Sequence, residues 1–298
     1  MANSASRAEA LAADQSFRFR IGTVECILLS DGAAHYAPEM LAANVPPEAT
    51  RSELRDRLDE RGLFVAPYRP LLVSSAGKLV LVDTGMGELA QTIGEPAGRL
   101  RDALNAAGTS PDQIDAVVLT HCHPDHIGGL TEMGEGKRVP LFSRATHYVW
   151  DSEWEFWTAA ETLAKLPDML AAPARLQLPP LVEAGVVMRL GAETEIVSGV
   201  GVRPLPGHTP GHAVVEIASG NDRGSYTGDA LLDVLNFSHP DWYSPVDALP
   251  DLMVKNRRAI LDAAAGDGRL FLGYHIPPGR VTRRGGTYQL EATELTDS

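Results

Sequence analysis

The chain has 298 residues, of which 44% are hydrophobic and 22% are charged, and its formal net charge is −13. This negative charge argues against a nucleic-acid partner, because nucleic-acid binders usually carry a basic face. No apolar run approaches the roughly 20 residues that cross a bilayer, so we expect no membrane partner either.

The N-terminal segment and the cysteines indicate domain count and compartment. Residues 1–16 are Ala-rich and polar and lack the apolar stretch of a secretory signal, so we predict a flexible arm that takes part in homodimer contacts. Residues 17–298 are predicted to form a single domain, a length that α/β architectures often reach. Only Cys26 and Cys122 are present, and without an export signal we expect a reducing cytoplasm.

Apolar periodicity and turn residues predict the secondary structure along the chain. In the first half these signals predict a strand over 17–29, a loop over 33–62 with a charged helix over 47–58, a hairpin over 71–83, a helix over 89–107 interrupted near Gly94, and a strand over 115–120. In the second half they predict strands over 202–205, 213–217 and 224–227, a helix over 249–265, and strands over 270–272 and 288–290. The pattern favours an α/β fold with mixed sheets.

The most informative stretch is the run His-Cys-His-Pro-Asp-His at positions 121–126. It directly follows an apolar run that is typical of a buried strand, so the polar cluster lies where a strand ends. Imidazole and carboxylate groups at this density suit zinc, with manganese or iron as alternatives. Adjacent extended side chains point opposite ways, so we expect Cys122 to pack behind the site rather than to bind the metal.

Three later segments also carry His or Asp: 207–212 lies in a loop between apolar segments, and 227–229 and 273–275 each close a short strand-like run. Together with the 121–126 run and the Val-Asp-Thr-Gly segment at 82–85, they resemble the metallo-β-lactamase superfamily over roughly residues 17–290. The resemblance implies a four-layer αββα sandwich, with two mixed sheets flanked by helices. Segments 141–157, 239–242 and 273–279 look most like the branch of quorum-quenching lactonases and methyl parathion hydrolase.

The resemblance also implies a ligand set for two divalent metal ions. The expected ligands are His121, His123 and His208 for the first ion, Asp125, His126 and His275 for the second, and Asp229 as a bridge between both. Seven ligands exceed the three that one catalytic zinc takes. Paired ions in enzymes of this kind lie ~3.5–4 Å apart.

Two ions permit hydrolysis without a nucleophilic side chain, because metal binding lowers the pKa of water from 15.7 to ~7. We therefore predict a hydrolase in which a metal-bridging hydroxide attacks a small lactone or carboxylic ester. Asp229 and Asp125 are the predicted catalytic residues, and Asp125 would relay a proton to the leaving group. The alternatives are a phosphotriesterase and, as a non-catalytic option, a metal-binding or redox module on the same fold.

Several residues outside the ligand set are also candidates. Asp83 is expected to orient a ligand histidine from behind. Trp150, Trp154 and Trp157 recur at helical spacing, which predicts three indoles on one helical face. They either pack in the core or form the wall of an apolar substrate pocket.

The remaining histidines carry weaker signals. His239 is a candidate for a substrate contact because it follows Asp229 closely along the chain. His212 is expected to make structural hydrogen bonds, and His35 and His147 are expected at the surface or at a pocket rim.

Overall fold

The computed structural model describes residues 15–293 of the chain. The predicted arm over residues 1–16 therefore lies outside the described residues, except for its last two. Ser16 accepts a hydrogen bond from the backbone amide of Ser30 at 3.0 Å, so the start of the described chain contacts the end of the first hairpin. Within residues 15–293, no helix has both the length and the apolar character needed to cross a membrane.

The strands and helices of the described residues follow one another in a mixed order. The strands are β1 Phe17–Ile21, β2 Val24–Leu28, β3 Gly32–Tyr36, β4 Phe64–Tyr68, β5 Leu71–Ser75, β6 Lys78–Val82, β7 Ala116–Val118, β8 Thr131–Met133, β9 Arg138–Pro140, β10 Thr146–Trp150, β11 Val187–Leu190, β12 Thr194–Val197, β13 Val200–Pro204, β14 Ala213–Ser219, β15 Asp222–Tyr226, β16 Leu270–Leu272, β17 Gly279–Arg284 and β18 Thr287–Ala292. The α-helices are α1 Pro47–Glu53, α2 Leu89–Ile93, α3 Leu100–Ala106, α4 Pro124–Ile127, α5 Asp151–Thr158, α6 Ala160–Leu163, α7 Asp168–Gln177, α8 Pro179–Ala184, α9 Leu235–Ser238 and α10 Pro250–Asp267.

Most of the strands belong to two seven-stranded mixed sheets. The first has the order β1-β2-β5-β6-β7-β10-β11 and the second the order β12-β13-β14-β15-β16-β17-β18. In the first sheet β6, β7, β10 and β11 run parallel, and in the second only β15 and β16 do. The remaining strands form two short antiparallel pairs, β3–β4 and β8–β9.

Strand β6 shows why the sheets form the middle of a layered structure. Val80 and Val82 point into the apolar cluster between the two sheets, whereas Leu81 points into the cluster beneath the helices. Both faces of the strand are buried, which explains its nearly continuous apolar sequence. Helices α3, α5 and α7 cover the outer face of the first sheet, and α10 covers that of the second. The predicted α/β class and its helix-flanked mixed sheets are thereby confirmed.

Two segments differ from the prediction. The single strand predicted over 17–29 is a hairpin, because Gly22 adopts a φ of +58° and turns the chain between β1 and β2. The loop predicted over 33–62 begins with strand β3, and its helix ends at Glu53 rather than at Leu58. Strand β3 has a weak strand signal of its own and forms by pairing with β4, which lies after the whole intervening segment.

The position predicted for His147 was wrong, since this residue is only 1% exposed. It lies on β10, which pairs with strands on both sides. Its Nδ1 lies 3.2 Å from the carbonyl of Ala145, and its Nε2 has no hydrogen-bond partner among the described residues. Burial lowers the pKa of His147 from 6.5 to about 4.

This lowered pKa predicts a loss of stability in acid. The unfolded chain binds the proton more tightly than the folded protein does, so stability falls as the pH drops from 6.5 to about 4, by about 3 kcal/mol for this one group. A His147→Gln variant cannot titrate and should lack this component. Urea unfolding of both proteins at pH 7 and pH 4 measures it, and a constant stability difference between them would contradict the prediction.

Candidate metal centre

The candidate site lies at the edge where parallel strands of both sheets end. Strands β6 and β7 are parallel neighbours, as are β15 and β16, so each pair brings its carboxyl ends together. The 121–126 run follows β7, Asp229 follows β15, and His275 follows β16. His208 joins them from the loop between β13 and β14. Sites outside the carboxyl ends of parallel strands are usual in α/β folds.

All seven predicted ligands come together in two groups that share one residue. Within each group the ligand atoms lie within 4.8 Å of one another. The first group contains His121, His123, His208 and Asp229, and the second contains Asp125, His126, His275 and Asp229. The division between the two groups is the one that the resemblance implies.

Hydrogen bonds behind the first group determine which ring nitrogens are free. His208 Nδ1 lies 2.6 Å from Asp247 Oδ1, and a carboxylate only accepts, so Nδ1 carries the proton. The Thr120 hydroxyl donates to a carboxylate on its far side and therefore accepts from His121 Nδ1 at 3.1 Å. Consequently the Nε2 lone pairs of His121 and His208 both face His123 Nδ1, at 3.1 and 2.9 Å.

The second group shows the same arrangement. His126 Nδ1 donates to Asp83 Oδ2 at 2.8 Å, which leaves a lone pair on Nε2, 3.2 Å from Asp229 Oδ1. His275 Nδ1 donates to a backbone carbonyl of β4 at 3.0 Å. Its Nε2 therefore presents a lone pair to Asp125 and Asp229, at 3.5 and 3.4 Å.

With neutral imidazoles, these contacts place one hydrogen-bond acceptor against another in a buried position. His126 Nε2 and Asp229 Oδ1 are both buried without a hydrogen-bond partner among residues 15–293, and such groups are costly. A divalent cation between them would satisfy both, and five imidazoles with two carboxylates form a donor set that suits zinc and its neighbours. The residues present therefore fit a metal centre.

The electrostatics of the group also favour positive charge. Burial by itself would lower the pKa of His208 and His275, but the neighbouring carboxylates outweigh it and raise both to about 9. Burial lowers the pKa of His123 to about 3, and the nearby His208 adds to this effect. The carboxylates thus attract positive charge to the centre, as protons on Nε2 of His208 and His275 when no metal is bound or as a cation that replaces those protons, while His123 stays neutral.

The seven residues differ in their exposure to solvent, and the more exposed ones mark the open side of the donor set. His121, His126 and His208 are 0% exposed, whereas His123, His275 and Asp125 are 6%, 8% and 9% exposed. A small molecule from solvent would therefore meet this more exposed trio first.

Three buried residues that hold this centre were missed in the sequence. Asp247 orients His208, and its other oxygen accepts the backbone amide of Ser244 at 2.8 Å. The Tyr274 hydroxyl donates to the carbonyl of Asp125 at 2.5 Å. Glu153, on α5, accepts hydrogen bonds from the 121–126 run and from residues 205–212 between β13 and β14, which we call the His208 loop. Tyr274 had a usable signal in its position beside His275, whereas the acidic residues stand in segments without a motif.

Asp83 occupies the position that the sequence predicts for it. Its carboxylate contacts His126 and also accepts the backbone amide and the hydroxyl of Thr120, both at 2.8 Å. Its φ of +61° is unusual for a residue other than glycine. The strand end is therefore held in a strained conformation that directs the carboxylate at the ligand histidine.

The three tryptophans do not share a helical face, so that part of the prediction was wrong. Trp150 is the last residue of β10 and packs against the cluster between the sheets. Trp154 and Trp157 lie on α5 in the outer cluster, at 8% and 1% exposure. The ring of Trp157 packs edge-on against His123 at 5.4 Å. A direct role in substrate binding stays a prediction for all three.

The other predicted residues have contacts away from the ligands or behind them. His239 stacks on Trp242 at 3.9 Å and lies 3.7 Å from Glu53, and its substrate contact stays a prediction. His212 accepts the backbone amide of Asp229 at 3.1 Å, which is a structural hydrogen bond as expected. Cys122 is fully buried in the outer cluster behind the site.

Comparison with known proteins identifies the family. The family model described as the metallo-beta-lactamase superfamily matches residues 70–275. Two solved structures share the fold over 95% of this chain. One is the hydrolase AbOPH of the beta lactamase superfamily, with a TM-score of 0.82, 26% identity and 98% of that chain covered. The other is AidC, a dizinc quorum-quenching lactonase in complex with a product, with a TM-score of 0.81, 27% identity and 100% of that chain covered.

Curated relatives match over shorter stretches. Ribonuclease TTHA0252 of Thermus thermophilus is 33% identical over 168 residues, which are 53% of this chain and 34% of the ribonuclease. The probable metallo-hydrolase YflN of Bacillus subtilis is 28% identical over 183 residues, which are 55% of this chain and 59% of that protein. The matched stretch thus spans less than two thirds of either relative.

The shared carboxylate predicts the metal content of a variant. We expect the protein, stripped with a chelator and reloaded with zinc, to bind two ions per chain, and Asp229→Ala to bind one at most because both groups lose a ligand. Elemental analysis after gel filtration measures the ratio. Asp222→Ala, an exposed change on β15, is the matched control and should keep two ions; two ions retained by Asp229→Ala would reject the bridging role.

Proposed function

Because the chain belongs to the metallo-β-lactamase superfamily, we propose that it is a metal-dependent hydrolase that opens a lactone or cleaves a carboxylic ester. The observation that carries this proposal is the set of seven converging ligands on a fold similar to that of a dizinc lactonase. We propose two divalent ions as its cofactor, zinc first and manganese or iron as alternatives. The partner is a small-molecule substrate.

The ligands have distinct tasks in this proposal. When bound, two divalent ions supply Lewis acidity, which acidifies water and polarises the attacked carbonyl. Asp229 belongs to both groups and so fixes their separation. The carboxylates of Asp83 and Asp247 keep His126 and His208 in the tautomer whose free nitrogen faces the site.

Asp125 is the carboxylate best placed to move a proton. It is the most exposed of the seven ligands, so a substrate on the open side can reach it. The Tyr274 hydroxyl holds its backbone carbonyl, and its Oδ2 lies 3.5 Å from His275 Nε2. We propose that the Asp125 carboxylate takes up the proton released by the attacking water and passes it to the departing alkoxide.

Tyr36 is the accessible member of an aromatic series next to His275 and suits the apolar part of such a substrate, whereas Tyr68 and Phe64 are buried behind it. The ring of Tyr68 lies 5.6 Å from that of His275, its hydroxyl lies 2.5 Å from the hydroxyl of Tyr36, and Tyr36 packs on Phe64. Tyr36 is half-buried, and burial together with the charge of Asp125 raises its pKa. Its phenol therefore stays protonated at neutral pH and can donate a hydrogen bond.

A substrate panel tests the proposed reaction. With the zinc-loaded protein we expect kcat/KM to be higher for lactones and carboxylic esters than for phosphotriesters, and His123→Ala to abolish turnover of all of them. A clear preference for the phosphotriester would replace the proposal with phosphotriesterase activity. Loaded protein that is inactive on every class would support a non-catalytic metal-binding module.

The aromatic series predicts which side chain binds the substrate. Tyr36→Ala should raise KM about tenfold with a smaller change in kcat, because the interaction is the same in ground state and transition state. Trp150→Ala is the comparison variant, and because Trp150 packs against the cluster between the sheets, we expect its KM to rise less than that of Tyr36→Ala, in protein whose folding is checked by circular dichroism. A raised KM in Trp150→Ala with normal kinetics in Tyr36→Ala would instead assign the pocket to the tryptophan.

A further inference from the structure

Glu153 is a fully buried carboxylate that accepts four hydrogen bonds from three parts of the chain. Its Oε1 accepts the backbone amide of Cys122 at 2.8 Å and the indole N–H of Trp157 at 2.7 Å. Its Oε2 accepts the hydroxyl of Thr209 at 2.6 Å and the backbone amide of Gly211 at 3.0 Å. One oxygen thus accepts a hydrogen bond from the 121–126 run, and the other accepts two from the His208 loop.

Both segments carry residues of the first metal group, and the 121–126 run also carries Asp125 and His126 of the second. Cys122 lies between His121 and His123, and Thr209 directly follows His208. Each oxygen of Glu153 therefore contacts a residue that is the direct chain neighbour of a histidine of the first group. The ligands specific to the second group have other supports, which are Asp83 and a carbonyl of β4.

The His208 loop rests directly on the first turn of α5. A Cβ on Gly211 would lie 2.1 Å from the backbone nitrogen of Glu153, so glycine is needed for this approach. The hydroxyl of Ser152 also donates to the carbonyl of Pro210 at 3.2 Å. The loop therefore follows the position of the helix, and the carboxylate ties both to the 121–126 run.

Burying the charged carboxylate of Glu153 is energetically unfavourable. Burial raises the pKa of Glu153, and the four hydrogen bonds oppose that rise. A glutamine of the same size would cost less to bury, but its NH₂ group would face donors instead of accepting from them. Only the carboxylate satisfies all four donors at once.

We propose that Glu153 is a positioning residue that sets the spacing of His121, His123 and His208 and so controls the affinity of the first metal group more strongly than that of the second. The inference rests on the metal centre of the proposed function and not on its substrate. It makes α5, an outer helix, part of the support of one metal group.

Stepwise metal affinity of Glu153→Gln tests this role. Zinc competition with a chromophoric chelator gives the two affinities, and cobalt spectra identify the weakened group. We expect one affinity to fall about 10- to 100-fold, as is usual for partners behind metal ligands, and the other to fall by a clearly smaller factor. Equal weakening of both groups, or unchanged affinity at both, would overturn the proposal.

Asp31→Asn is the matched control for general destabilisation. Asp31 is also fully buried and accepts backbone amides of Met86, Gly98 and Leu100 at 2.8, 3.2 and 2.7 Å. The Asp31→Asn variant should have a lower melting temperature but no selective loss of zinc affinity at the first group. The same selective loss in Asp31→Asn would reject a specific role for Glu153.

A milder variant keeps the test decisive if Glu153→Gln does not fold. Thr209→Val removes one donor to Oε2 and should weaken the same group by a smaller factor. Unchanged affinity in folded Thr209→Val would contradict the proposal. Failure of the wild-type protein to bind zinc would instead count against the metal centre itself, so the two failures are distinguishable.

Discussion

Imidazole lone pairs and carboxylate oxygens face one another at the shared edge of the two sheets, and this arrangement of acceptors is favourable only around positive charge. His126 Nε2 and Asp229 Oδ1, 3.2 Å apart, show the constraint most directly. Nδ1 of His126, His208 and His275 is hydrogen-bonded to a carboxylate or a carbonyl in each case. These bonds fix the orientation of the rings, so Nε2 of each ring faces the site. The rest of the site is organised to hold these groups together.

The fold meets this constraint by ending parallel strands at one place. The ends of β6 and β7 provide Asp83 and the 121–126 run, and the ends of β15 and β16 provide Asp229 and His275. Glycine allows these segments to approach closely, since a Cβ on Gly128 would lie 2.1 Å from the carbonyl oxygen of Met86. The site therefore belongs to both sheets and depends on their packing.

Buried carboxylates behind the ligands link folding to metal binding. Asp83 and Glu153 are 0% exposed and Asp247 is 8% exposed. Hydrogen bonds to the site or its loops offset the free-energy cost of burying each carboxylate. Ions that bind only the folded chain would stabilise it in proportion to their affinity. Stability and metal content are thus two measures of the same arrangement.

The sequence by itself determined the features that depend on neighbouring residues. The hairpin over 71–83 was predicted from two apolar runs around a turn, and the 121–126 run, Asp229 and His275 were predicted from the apolar runs that they follow. Only the tertiary structure decided which elements meet. Glu153 contacts Cys122 across 31 residues and Asp247 contacts His208 across 39, while His147 is buried through strands on both sides of β10. Periodicity shows which face of an element is buried, but the residue that covers that face comes from a distant part of the chain.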